Sequence, residues 1–145
     1  MASLLLINGP NLGLLGQREP NLYGANTLSE IETQLTDLAK ERKHELKCFQ
    51  SDAEHELVKR IHDVTNEEVE LILFNPAAFT HTSIVLRDAL LAVKVPFIEI
   101  HLSNVAARED FRKHSYFSDI AVGTISGFGV TSYELALIAA EKFLE

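Results

Sequence analysis

The sequence predicts an α/β fold: a doubly wound five-stranded parallel sheet with strand order 2-1-3-4-5. Three observations lead there. Short apolar runs alternate with helical patterns from one end of the chain to the other. Most of the runs are short and leucine-rich or β-branched at their centres, as strands covered on both faces are. Five β-α units in succession then favour a parallel sheet with helices on both sides. At 145 residues the chain is expected to form a single domain, residues 1–145.

Strands are expected at Ser3–Asn8, Glu45–Gln50, Val69–Phe74, Val95–His101 and Ile120–Ile125. The first helix carries Leu28, Ile31, Leu35 and Leu38 on one stripe, and the second carries Leu57, Ile61 and Val64. Capping boxes, a Ser or Thr followed three residues later by Glu, mark helix starts at Thr27/Glu30, Ser51/Glu54 and Thr131/Glu134. A third helix spans about Thr82–Val93 and stops before Pro96, and a shorter one is expected near Val105–His114. Between the first strand and the first helix, Asn8 to Asn26 forms a long loop with Gly9, Gly13, Gly16 and Gly24. A loop of that length in a small domain reads as a lid or binding loop.

Composition narrows the function. The apolar fraction of 46% is that of an ordinary globular chain. A net charge of -8 argues against nucleic-acid and anionic-membrane binding, while leaving an anionic small substrate open to local arginines. The single Cys48 can form neither an internal disulfide nor a thiolate cluster, and it reads as a core thiol. The N-terminus has no basic n-region, and its apolar run ends at Asn8-Gly9-Pro10-Asn11. A cytoplasmic location is expected.

Ligands of such sheets bind at the carboxyl ends of the strands, where strand order reverses. Here those ends are polar: Asn8 and Asn11 after strand one, Asn75 at strand three, His101 and Ser103 at strand four. A single Asn in such a place is ordinarily a turn or cap, but several on one edge point to a site. Strand four, which is expected to be buried on both faces, holds Glu99 and His101 at i and i+2, on one side. A carboxylate beside an imidazole suits proton transfer, and it would also serve as a buried structural pair. The long loop adds Arg18 and Tyr23, a guanidinium and a phenol that together would favour phenolate. No Walker A or GxGxxG spacing, acidic cluster after strand one, HExxH or paired cysteine occurs, so no nucleotide, metal or cofactor is expected. Residues alone leave open another enzyme using the same edge, or a binding module acting through an exposed face.

Several blocks in order resemble type II 3-dehydroquinate dehydratase over essentially the whole chain. They are Asn8-Gly9-Pro10-Asn11-Leu12, Arg18-Glu19-Pro20 and Tyr23-Gly24, then Asn75-Pro76, Thr80-His81-Thr82-Ser83 and Leu86-Arg87-Asp88-Ala89. Pro96 to Asn104, Arg108-Glu109, Phe111-Arg112, His114-Ser115-Tyr116 and Gly127-Phe128-Gly129 complete the match. The resemblance implies a flavodoxin-like fold and a cofactor- and metal-independent anti dehydration of 3-dehydroquinate to 3-dehydroshikimate, in the shikimate route to chorismate and the aromatic amino acids. It makes Tyr23 the base, Arg18 the stabiliser of its phenolate, and Asn11 the holder of a water against the enolate oxygen. It makes His101 the acid, oriented by Glu99. Asn75, His81, the Leu102 backbone, Ser103 and Arg112 become substrate ligands, with Ser103 at the carboxylate and Arg112 at the hydroxyls. Asp88 would act at a neighbour's site in a homododecamer built from trimers. Ala77, Gly13 and Ala106 depart from common forms of the family, which have Gly, Asn and His there.

Two further expectations come from the residues. The third helix is apolar nearly all round apart from Arg87 and Asp88, so a second subunit is expected to cover it. None of the seven lysines lies at a strand's carboxyl end, so none is placed to form a Schiff base with a ketone.

Overall fold

In the computed structural model, which describes residues 1–17, 19, 21 and 25–145, the strands are β1 (Ser3–Asn8), β2 (Glu45–Gln50), β3 (Leu71–Asn75), β4 (Phe97–His101) and β5 (Gly123–Ser126). They pair in parallel in the order β2-β1-β3-β4-β5, as the sequence predicts. The helices are α1 (Leu28–Glu41), α2 (Glu54–Glu67), α3 (Ile84–Val93) and α4 (Thr131–Leu144).

Strand alternation divides the core into two layers. Leu4 and Leu6 of β1, Leu71 and Leu73 of β3 and Ile98 and Ile100 of β4 meet α1 and α4 through Ile31, Leu35, Tyr133, Ala136 and Leu137. Leu5, Ile7, Ile72, Phe74 and Phe97 face the other way, onto Leu57, Ile61 and Val64 of α2 and Leu86 and Leu90 of α3. Phe74 also packs edge-on against Phe97 and Phe117. Glu99 and His101 share the parity of Phe97, so they lie on the α2/α3 side of β4.

Several boundaries move, each for a local reason. The Val69 amide closes the end of α2 on the Val64 carbonyl, so β3 starts two residues later than Val69. Pro96 has no N–H to give the ladder, and β4 begins after it. The amides of Ile120 and Ala121 both turn back to the Phe117 carbonyl, which delays β5 to Gly123. β5 is an edge strand with Gly123 and Thr124 exposed, not covered on both faces.

Of the three box spacings only the first gives a cap, with the Glu30 amide donating to Thr27 Oγ1 at 3.2 Å and the Thr27 hydroxyl donating to the Glu30 carboxylate at 3.1 Å. Ser51 Oγ instead accepts from the Ala53 amide and donates to Glu56. At α4 the hydroxyl in use is Ser132, which accepts from the Phe128 amide. α3 has a cap the box pattern does not reveal: Ser83 Oγ accepts from the Leu86 amide at 3.1 Å, and the helix begins at Ile84 rather than Thr82. The short helix expected at Val105–His114 is two separate 3-10 turns, Val105–Ala107 and Asp110–Arg112, divided by extended backbone at Arg108 and Glu109. Cys48 is half-buried beside Thr36, and burial pushes its thiol up to about 11, which leaves it an unreactive thiol at neutral pH.

Candidate active site

The strand ends that form the site are held together by backbone. β1 and β3 run in register to Asn8 opposite Asn75, and the Gly9 amide donates to the Asn75 carbonyl at 2.8 Å. A Cβ on Gly9 would stand 2.5 Å from the Pro76 carbonyl oxygen, so only glycine passes between the two strands. Asn11 follows with φ 68, a left-handed conformation that Asn tolerates, its amide donating to Asp52 Oδ1 at 2.9 Å.

Beyond this junction lies a cleft. It gathers Asn11, Asn75, His81, His101, Leu102, Ser103 and Arg112, seven of the residues singled out in the sequence, from four different segments. Arg108, part of the family match but given no role in the sequence reading, also lines it, donating through Nη1 to Ser103 Oγ at 3.3 Å. Asp88 does not reach the cleft. It is exposed on α3 and lines a second cleft with Arg87, His114, Ser115, Ser118 and Asp119. Arg18 and Tyr23 lie outside the described residues.

Asn75 is fixed by a buried chain. Its Nδ2 donates to Tyr133 Oη at 2.9 Å, Tyr133 Oη donates to Asn8 Oδ1 at 2.6 Å, and its Oδ1 accepts from the Ala77 amide at 3.2 Å. Tyr133 is fully buried at the start of α4, and burial pushes its hydroxyl far above the ordinary phenol range, so it works as a neutral donor and acceptor. In the sequence it reads as one apolar position of the stripe Tyr133, Ala136, Leu137, Ala140. Ala77 has φ 52, which costs an L-residue about 1–2 kcal/mol relative to the glycine common at this turn. Gly13 and Ala106, the other departures from the family, sit at ordinary contact distance from Gln50 and on an exposed 3-10 turn.

The Glu99–His101 pair is closed from water, at 1% and 7% exposure. A bare carboxylate buried so deeply would be prohibitive, and here it is surrounded by donors. His101 Nε2 lies 2.6 Å from Glu99 Oε2, Ser118 Oγ donates to Oε1 at 2.6 Å, and Ser115 Oγ donates to both oxygens at 3.1 and 3.0 Å. Burial pushes the Glu99 carboxyl up, but these hydrogen bonds and the attraction of His101 outweigh it and hold it below the ordinary carboxylate value. Glu99 is therefore ionised at neutral pH and commits Nε2 of His101, leaving Nδ1 as the ring nitrogen able to exchange a proton with a ligand.

His81 plays a different part. Burial is the largest cause holding its pKa below 6.5, helped by the charges of His101 and Arg112 and opposed by its hydrogen bond to the His114 carbonyl. That bond, 2.7 Å from Nδ1, places the proton on Nδ1 of a neutral ring and leaves Nε2 an acceptor. Arg112 is anchored by Glu109 at 3.0 Å and lies over the Phe111 ring. Among the described residues no group of three or more His, Cys, Asp or Glu is arranged to hold a metal ion. No helix among them is long and apolar enough to cross a membrane.

The arrangement is an oriented, chargeable histidine at the mouth of a polar cleft that also holds two guanidinium groups, a hydroxyl and amides. It suits proton transfer to an oxygen of a small anionic, hydroxylated ligand. Comparison with known proteins agrees. The family model described as dehydroquinase class II matches residues 2–141. A 3-dehydroquinate dehydratase of Cellvibrio japonicus is 60% identical over 144 residues, covering 99% of this chain and 97% of its own. One of Hahella chejuensis is 63% identical over 140 residues, covering 97% and 95%. The crystal structure of a type II dehydroquinase from Butyrivibrio crossotus superposes with a TM-score of 0.94 at 35% identity, covering 97% of each chain. That from Propionibacterium acnes gives 0.93 at 39%, covering 98% and 97%.

Proposed function

Because the chain belongs to the class II dehydroquinase family, we infer that its cleft dehydrates 3-dehydroquinate to 3-dehydroshikimate by an anti elimination through an enolate, in the shikimate pathway. The observation that carries the reading is the buried, ionised Glu99 locking His101 at a cleft that also holds Asn11, Asn75, Ser103 and Arg112. Elimination of this kind needs a base for the proton beside the ketone, a polar partner for the enolate oxygen and an acid at the leaving hydroxyl.

In this reading the Tyr23 phenolate takes the C2 proton and becomes a phenol, with Arg18 stabilising the phenolate. Asn11 holds a water against the enolate oxygen. His101 gives its ring proton to the departing hydroxyl, which leaves as water, and Glu99 orients the ring. Ser103 and the Leu102 N–H receive the carboxylate; the Leu102 carbonyl is already taken by the Gly129 amide. His81 Nε2, Arg112 and Asn75 receive the remaining oxygens. The chemistry runs without a metal or cofactor, and the enzyme is cytoplasmic, consistent with one unreactive cysteine. The direct test is to mix purified protein with 3-dehydroquinate and follow the conjugated enone absorbance; no absorbance change removes the reading.

A lysine–ketone adduct has no place in this mechanism. Lys40, Lys59 and Lys142 lie on helices, Lys43, Lys94 and Lys113 follow helical turns, and Lys47 is an exposed mid-strand residue of β2, away from any strand's carboxyl end. Borohydride with substrate present is expected to leave activity intact, and mass spectrometry showing substrate trapped on a lysine would count against the enolate route.

The assembly is a homododecamer built from trimers in which Asp88 completes a neighbour's site. Supporting this, Ile84, Val85 and Leu91 are 56%, 50% and 48% exposed on α3, with Ile84 and Leu91 on the same helical stripe as Asp88. Asp88→Ala is expected to raise KM several-fold in the assembled protein. Dissociation is expected to abolish turnover while the circular dichroism of the sheet persists. Light scattering from a fully active monomer would overturn the shared site.

A further inference from the structure

We propose that Ser115 and Ser118 are positioning residues of the acid: they fix the Glu99 carboxylate against His101 and draw off part of its charge, so that the ring proton can be given up to a leaving hydroxyl. The inference rests on His101 being the acid. Ser115 is an obligate donor to Glu99. Its Oγ accepts from the amides of Phe117 at 3.0 Å and Ser118 at 3.2 Å, which fill its lone pairs and leave its proton one direction, toward Glu99. Ser118 makes its one side-chain hydrogen bond among the described residues to Glu99 Oε1, at 2.6 Å. It caps no turn, so its hydroxyl has no evident use apart from the carboxylate.

Both serines also line the second cleft, where they stand between the Glu99 carboxylate and the surface around Asp88. Among the described residues, the other charged or titratable groups lining the two clefts are His81, Arg108 and Arg112 on the first and Arg87, Asp88, His114, Tyr116 and Asp119 on the second. None of them hydrogen-bonds Glu99, and Arg87 and Asp119 are paired with each other. The serines are thus the donors that balance His101 on this carboxylate.

The direction of the effect follows from charge sharing. A carboxylate that loses a hydroxyl donor becomes a stronger acceptor, and it then holds the imidazolium proton more tightly. Ser118→Ala is therefore expected to lower kcat roughly tenfold with KM within about twofold, the size of one hydrogen bond to a charged group. The alkaline limb of the kcat–pH profile should move to higher pH by up to about one unit. The NMR titration of a 13C-labelled Glu99 carboxyl should move the same way, and Ser118→Thr, which keeps the hydroxyl, should restore all three. Ser115→Ala also removes a turn cap, so Ser118 is the cleaner position. If Ser118→Ala changes only the melting temperature, leaving the alkaline limb and the Glu99 titration in place, the positioning role is wrong. His101→Ala measured in parallel separates the failures: retained turnover there removes the acid itself and this role with it. An inactive His101→Ala beside an unchanged Ser118→Ala overturns the serines alone.

Discussion

Tyr23→Phe is expected to lower kcat by about 10²–10⁴-fold while substrate binding stays within a few-fold. The change deletes one oxygen and little volume, so it removes the proposed base and nearly nothing else. A phenol titrates near pH ~10 in isolation, and a neighbouring guanidinium favours its ionised form. Arg18→Ala should consequently lower the rate and move the acid limb of the pH profile upward, because the phenolate becomes harder to form. Steady-state kinetics paired with equilibrium binding of 3-dehydroquinate checks both variants. A Tyr23→Phe enzyme within a factor of a few of wild type would remove the base assignment.

His101→Ala should cost a comparable factor in kcat, and it should also destabilise the fold, which Tyr23→Phe should not. The reason is the burial of Glu99. Removing the imidazole leaves the buried Glu99 carboxylate short of a hydrogen-bond donor, typically a loss of about 1–3 kcal/mol. Ser115 and Ser118 remain to absorb part of that loss. Glu99→Gln keeps the shape but deletes the charge and turns one acceptor oxygen into an NH2 donor facing Ser115 and either His101 or Ser118, so it should lower kcat and also cost stability. Chemical denaturation alongside turnover reads both quantities. His101→Ala with wild-type turnover and an intact fold would contradict its role as acid, whatever Glu99→Gln did.

Most of the fold and much of the site can be read from the chain, because their physical causes are local. β1 and β2 match their predicted ranges to the residue: β1 is an unbroken apolar run ended by Asn8, and β2 is a short run that begins after a helix and ends at Gln50 before Ser51. The parallel order follows from alternation of strand and helix, which leaves few ways to cover a sheet on both faces. Glu99 and His101 are visible because two chargeable groups at i and i+2 in an apolar strand have a strong reason to be there. The gathering of Asn11, Asn75 and Ser103 at one edge follows from the same topology, whereas Arg112 is indicated only by the family resemblance.

What the sequence leaves open depends on partners distant along the chain. Ser51 and Thr131 have the spacing of helix caps, yet hydroxyls satisfy whichever amide the packing presents, and at α4 that hydroxyl is Ser132. Val105 to His114 has helical composition, but its backbone breaks into two turns as it wraps over the cleft. Tyr133 looks like a core residue of α4, and only the crossing of α4 over β1 and β3 brings its hydroxyl between Asn8 and Asn75. Ser115 and Ser118 look like loop polarity until the chain after β4 folds back and lays them on Glu99. Periodicity fixes which face of an element is buried, because that depends on neighbours a few residues away. The partner of each buried polar atom is decided only when segments distant in sequence meet, and there the tertiary structure is the sole source.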